Sequence, residues 1–290
     1  MFINLTLSII CAAMMFISFK LFARFGINLF QGIVFNYWTA AGLSFTFCFG
    51  TGVNYMNEIK QIMPAPLLIG SMFILVFYFT ALTTQIFGLA VATIAAKMSV
   101  VIPVASGIFL FDDYLGIAQI AGIVIALTAV YFVASGKPAS EKKSSNKMIL
   151  LLPAALFIGT GLVDAAIKYA QHTFMQTQSR YLVMMCLFGT AGSIGIIILL
   201  VQVLRKIQRI SFRNLAGGIV LGIFNYFSLY FLVTCLEMPG AKSSVVFTLL
   251  NTGIILLTAF AALFIFSEKL SVKKYMGIAL SVIAILLLAF

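Results

Sequence analysis

The sequence predicts an all-α membrane protein: ten transmembrane helices in two inverted-topology repeats of five. Three observations predict it. First, the 290 residues are 63% hydrophobic and 9% charged, with a mean hydropathy of +1.16; soluble domains are about 45–50% apolar and about 25% charged. Second, apolar runs of about 20 residues, the length of a bilayer-crossing helix, recur between short polar breaks. Third, the two halves of the chain match at their ends, and a repeat with an odd number of helices re-enters the membrane with the opposite orientation.

In chain order the runs are Phe2 to Phe22, Gln31 to Gly50, Ala65 to Phe87, Gly88 to Phe111 and Leu115 to Ala134 in the first half. In the second half they are Met148 to Ala170, Tyr181 to Val203, Asn214 to Leu236, Lys242 to Phe266 and Val272 to Phe290. The first lacks a basic n-region, is long for a signal sequence and is followed by ARFG rather than a small-x-small cleavage site, so it is expected to be retained as a helix. The fourth follows the third almost without a loop, and Gly88 is the residue suited to so tight a reversal. The longest polar segment, SGKPASEKKSSNK at 135–147, has the composition of a solvated linker. It divides the chain into a first repeat at 1–134 and a second at 148–290.

The internal match lays GIFLFDDYLGIAQIAGI on ALFIFSEKLSVKKYMGI without a gap. Phe109 falls on Phe264, Asp113 on Glu268, Leu115 on Leu270 and Gly122 on Gly277. Apolar runs match by chance, so the acidic-x-Leu turn and the downstream glycine carry the weight. Extended backwards, the match sets Lys97 on Thr252, beside Asn251.

Ten helices in two five-helix repeats, with an acidic-x-Leu turn after the fourth helix of each (Asp113-Tyr114-Leu115 and Glu268-Lys269-Leu270) and a glycine near the start of each fifth, resemble the EamA-like branch of the drug/metabolite transporter superfamily. The resemblance covers nearly the whole chain and identifies no substrate. It implies an integral protein of the bacterial cytoplasmic (inner) membrane, a permease for amino acids, metabolites, nucleotide sugars or drugs. It implies a central cavity formed mainly by the first, third, fourth, sixth, eighth and ninth helices. The fifth and tenth then support the bundle or pack against a second protomer in a homodimer. It also implies cytoplasmic termini, and here the charges disagree. Thirteen Lys and Arg fall on the loops that would then be external (Lys20, Arg24, Lys137, Lys142, Lys143, Lys147, Arg205, Lys206, Arg209, Arg213, Lys269, Lys273 and Lys274). Four fall on the other side (Lys60, Lys168, Arg180 and Lys242). Basic loops stay cytoplasmic, which places both termini outside; being local to this sequence, the charge reading is preferred.

Lys97 leads the candidate site residues. A lysine at the middle of a transmembrane helix costs about 2.5–3.5 kcal/mol and is by default a functional-site hypothesis. Six residues on, Pro103 frees a backbone carbonyl that neighbouring groups must satisfy. An ammonium there can hold a carboxylate or phosphate; the alternatives are a permanent pair with a carboxylate, or snorkelling. Asp164 is the one acid well inside an expected span, able to carry a proton or a substrate amine, or to pair locally with Lys168 one turn on. Lining one cavity, Lys97 and Asp164 would together read a zwitterion. Asn225 and Asn251, near the centres of the eighth and ninth helices, and Asn36, Tyr78 and Gln85 are weaker candidates, because intramembrane amides mostly bond helix to helix. Trp38 is more in character as packing or an interfacial anchor, and His172 as a loop residue. Gly218 and Gly222, Gly122 and Ala126, and Gly277 and Ser281 are small-xxx-small pairs that permit close helix approach.

Other classes fare poorly. The net charge of +11 reflects basic loops and not nucleic-acid binding. Cys11, Cys48, Cys186 and Cys235 lie within apolar runs without CxxC spacing and are expected as packed hydrophobes. There is no HExxH, no GxGD, no second histidine and no nucleotide-binding GxxxxGK[ST], so neither an enzyme, a metal site nor a cofactor is expected. The leading expectation is a secondary active transporter of a small polar metabolite, amino-acid-like, anionic or zwitterionic, working by alternating access around a midplane site. A lipid-carrier flippase, or a non-transporting scaffold or sensor in which Lys97 and Asp164 form a fixed pair, are the alternatives.

Overall fold

The computed structural model describes residues 1–49, 59, 63–105, 116–134, 151–174, 180–236, 238–239, 243–268 and 270–288. The linker at 135–147 and Asp113 lie outside them. Among the described residues the chain is helical, without strands. Its helices are α1 (Phe2–Arg24), α2 (Leu29–Phe49), α3 (Pro64–Phe87), α4 (Leu89–Met98), α5 (Ile117–Ala134), α6 (Leu152–Phe174), α7 (Arg180–Leu204), α8 (Phe212–Leu236), α9 (Ser243–Phe260) and α10 (Val272–Leu288). A π-helical turn, Ala261–Ile265, continues α9. Among the described residues, five segments are long and apolar enough to cross a membrane: Phe2–Arg24, Pro64–Phe87, Tyr181–Leu204, Phe212–Leu236 and Val245–Ile265. Leu89–Ala105, Ile117–Val133 and Leu152–Ile167 are shorter apolar helices. With exposed Leu68, Ile117, Tyr131, Leu204, Phe212 and Phe264 on its outside, this is an integral membrane protein, since a soluble chain does not leave so much large apolar surface uncovered.

The chain divides into two compact units, and each draws on both halves of the sequence. Unit one comprises Met1–Leu21, Phe79–Leu162 and Phe227–Phe290; unit two comprises Phe22–Tyr78 and Val163–Tyr226.

In unit one, α4, α5, α9 and α10 pack against one another around Phe87, Val91, Ile94, Met98, Ala126, Val133, Ile255, Ala284 and Ile285. The α5–α10 contact is reciprocal. Gly122 lies against the Ala284 carbonyl and Leu288, while Gly277 lies against the Ala129 carbonyl and Val133. Each glycine removes the side chain that would hold the backbones apart. Ala126 and Ser281, their small-xxx-small partners, are buried in unit one.

In unit two, α2 packs along α7, with Trp38 over Gly192 and Val34 over Gly195. Gly218 and Gly222 of α8 let it approach the α2 backbone at Gly32 and Asn36. Many polar groups find partners inside the protein, as a hydrocarbon solvent favours. Thr84 and Thr93 donate to the carbonyl four residues earlier, as Ser44 and Thr258 do. Tyr37 is fully buried among Phe73, Phe77 and Phe188 and donates to the Phe73 carbonyl.

The fourth expected span departs from a continuous helix. After Met98 the chain makes a turn at Ser99–Val100 and is helical again over 101–105. Pro103 has no N–H to offer the Ser99 carbonyl, which instead accepts from Ile102 at 2.9 Å. The freed carbonyl is thus satisfied by tightening the helix.

Glycine packing makes a testable contrast. At Gly42 and Gly189 an added Cβ would meet nothing within 4 Å, so alanine there gains up to about 1 kcal/mol of helix propensity. Gly277→Val overpacks the α5–α10 contact and costs about 1–3 kcal/mol. Thermal unfolding in detergent should therefore order Gly189→Ala at or above wild type and Gly277→Val clearly below it.

Candidate functional site

In unit one the site begins at the break between α3 and α4. Gly88 is the one residue between the helices and has φ +104, a conformation open to glycine and strained for other residues. With no side chain it cannot cap α4, so the capping acceptor arrives from elsewhere: the Leu89 amide donates to Glu268 Oε1 at 3.0 Å. A Cβ on Gly88 would stand 2.5 Å from Glu268 Oε2. The Lys20 ammonium pairs with Glu268 Oε1 at 2.8 Å. On the other side of the break, Lys274 Nζ donates to the Phe87 carbonyl, the last of α3, at 3.1 Å. The ends of two helices that meet without a loop are thus satisfied, the carboxylate at an N-terminus and the ammonium at a C-terminus, as the helix dipoles favour. Gln85 Nε2 donates to the Phe19 carbonyl at 3.2 Å and ties α3 to α1 beside Lys20.

Glu268 reaches α4 because of how α9 ends. The π-helical turn places the Phe266 amide on the Ala261 carbonyl, Ser267 takes a positive φ of 49°, and the Glu268 amide bonds the Ala262 carbonyl. π-turns recur at functional positions.

From this knot α4 runs through the core. Of its ten residues, all but Lys97 are buried, as expected of a helix apolar all round. Lys97 is half-buried: the one residue of α4 that is not fully buried carries its one charge. Asn251, also half-buried, lies on α9, which packs against α4. Its neighbour Thr252, the repeat counterpart of Lys97, has a buried hydroxyl without a hydrogen-bond partner.

In unit two, Asn36 and Asn225 meet: Asn225 Nδ2 donates to Asn36 Oδ1 at 3.1 Å. Both are buried, and Asn36 Nδ2 has no partner. Asp164 is exposed, and Tyr78 is 37% exposed. The Lys168 and His172 side chains lie outside the described part of the chain. Trp38, half exposed, donates to the Gly192 carbonyl at 3.1 Å, serving as packing between α2 and α7. None of the four cysteines is in a disulfide, and Cys48, Cys186 and Cys235 are buried.

Sequence reasoning misses two groups. Lys20 and Lys274 have the pattern of loop charges, yet they are engaged on Glu268 and Phe87. In unit two, Gln31 and Asn214 stand at the boundaries of expected spans and draw no attention there. Asn214 Nδ2 donates to Gln31 Oε1 at 2.7 Å, and Asn214 Oδ1 accepts from the Asn28 amide. Gln31 Nε2 bonds Gln208 Oε1 and the Arg209 carbonyl. The recurrence of the acidic-x-Leu turn in both halves is the available signal for Glu268; the Gln31 network has none.

No family model matches the chain. An uncharacterized protein of Haemophilus influenzae is 24% identical over 291 residues, covering 99% of this chain and 97% of that protein. A protein of known crystal structure superposes with a TM-score of 0.59 at 12% identity, covering 97% of this chain and 96% of that one. That likeness is one of fold.

The Asn36–Asn225 bond predicts an asymmetry. Asn225→Leu strands the Asn36 amide in the core and should lower stability by about 1–3 kcal/mol; the double change Asn36→Leu/Asn225→Leu should restore part of the loss. A double-mutant cycle in thermal unfolding measures this, and additive losses would argue against the bond.

Proposed function

We propose that the protein is a secondary active transporter of a small polar metabolite, anionic or zwitterionic, that opens its binding site to one membrane face and then the other. The observation that carries this reading is α4: buried along its length except at Lys97. An intramembrane charge at the one partly exposed position of such a helix is the usual mark of a substrate or ion path. Lys97 supplies the cation for a carboxylate or phosphate, and Asn251 on the adjoining α9 supplies a neutral partner. Asn36, Asn225, Tyr78 and Asp164 are the candidates of unit two.

The reciprocal α5–α10 contact supports the inverted-repeat reading. Gly122 and Gly277 are 155 residues apart, as are Ala129 and Ala284, and Val133 and Leu288. Repeat-related helices that bury the same positions against each other behave as the two sides of a two-fold axis. The resemblance to EamA-like transporters points the same way.

Uptake into proteoliposomes tests the proposal. Wild type should accumulate or exchange one class among amino acids, organic acids and phosphorylated metabolites. Lys97→Ala should lower that transport about 10–100-fold, the factor a lost charge-assisted hydrogen bond of about 1.5–3 kcal/mol represents. Transport of an apolar cation unaffected by Lys97→Ala would overturn it.

A further inference from the structure

We propose that Glu268, Lys20 and Lys274 form a latch that closes the end of unit one over α4, and that this end opens when the latch parts. The inference rests on the transporter reading, in which each membrane face must open in turn.

The latch gathers five segments at one point: the end of α1 (Lys20), the end of α3 (Phe87), the start of α4 (Leu89), the turn after the π-helix (Glu268) and the first turn of α10 (Lys274). What joins them is side-chain bonding. The Glu268 side chain is 6% exposed, Lys274 is 4% exposed and the Lys20 side chain 19%, so water has limited access while the latch is shut.

Two features suit it to parting. The first is Gly88, a single residue at φ +104 between two rigid helices, where a change of backbone angle swings α4 without breaking a helix. The second is the uneven use of the carboxylate. Both the Leu89 amide and the Lys20 ammonium engage Oε1, while the buried Oε2 has no partner. A buried acceptor left unmade is a standing cost of the closed arrangement. Opening lets water reach Oε2 and offsets the loss of the ion pair. The closed and open arrangements are thereby brought near in free energy, as a gate requires.

The test places a reporter cysteine one turn inside α4, Ala92→Cys, at a position now fully buried. Its labelling by a membrane-impermeant maleimide is read by peptide mass spectrometry in the full-length protein in proteoliposomes. Native Cys48, Cys186 and Cys235, all buried, report unfolding in the same sample. With the latch intact, position 92 labels slowly. Lys20→Met and Glu268→Gln should each raise its rate about tenfold with the three native cysteines still unlabelled. The double variant should label no faster than the faster single, since either change removes the same ion pair. Lys20→Arg should keep the slow rate.

Should Glu268→Gln unfold, exposing the native cysteines, Lys20→Met and Lys274→Met carry the test. Unchanged labelling in both overturns the latch. The readout needs no substrate, so its failure is distinct from failure of the transporter reading. Faster labelling in a protein that moves no solute leaves the latch standing and removes the transporter; substrate transport with unchanged labelling removes the latch alone.

Discussion

The bond from the Leu89 amide to Glu268, shared with the Lys20 ammonium, is the interaction on which the arrangement of unit one depends. Two helices that meet at a single glycine leave the last carbonyl of one and the first amide of the next without intrahelical partners. A loop in water would satisfy them by hydration. Here Glu268 supplies the acceptor and Lys274 the donor, both from the far end of the chain, and α4 can therefore enter the core directly from α3. That direct entry places Lys97 where it is. Breaking a buried ion pair by removing one partner costs about 3–5 kcal/mol, a substantial part of the roughly 5–15 kcal/mol that stabilises a domain.

The rest of unit one is close packing. α4, α5, α9 and α10 surround one apolar core, and glycines at 122 and 277 bring α5 and α10 together. In hydrocarbon no hydrophobic driving force separates core from surroundings, so contact area at close range and internal hydrogen bonds must hold helices together. Unit two follows the same rule by different means: Gly218 and Gly222 admit α8 to the α2 backbone, and Gln31, Asn28 and Asn214 close a set of amide bonds.

Local signals are legible in the sequence and distant pairings are not. The apolar runs mark the helices because hydrophobic length is a local quantity; Gly88 marks the break between α3 and α4 and Pro103 the disturbance after Met98, each through one residue's backbone chemistry. Lys97 stands out because charge is rare in such a run. Glu268 is legible as one half of a repeated turn, but its partner Leu89 is 179 residues away in sequence, and nothing local marks that pairing. Lys20 and Lys274 are hidden for a different reason: at the ends of apolar runs a lysine has the pattern of a solvated loop charge, whether it faces water or a carbonyl. The π-turn that aims Glu268 has no pattern of its own in AALFI. Asn36 and Asn225 are legible as intramembrane amides, and their meeting is the interhelical bonding such residues usually make.

The central proposal is that α4, buried at every residue but Lys97, meets a water-accessible path at that residue. Cysteines placed singly at Ala96, Lys97 and Met98, treated with a small water-soluble methanethiosulfonate in proteoliposomes, test it directly. The account predicts rapid modification at position 97 and little at 96 or 98. Equal inertness at all three would mean that position 97 is sealed in the packed interior, and the candidate site would fall with it.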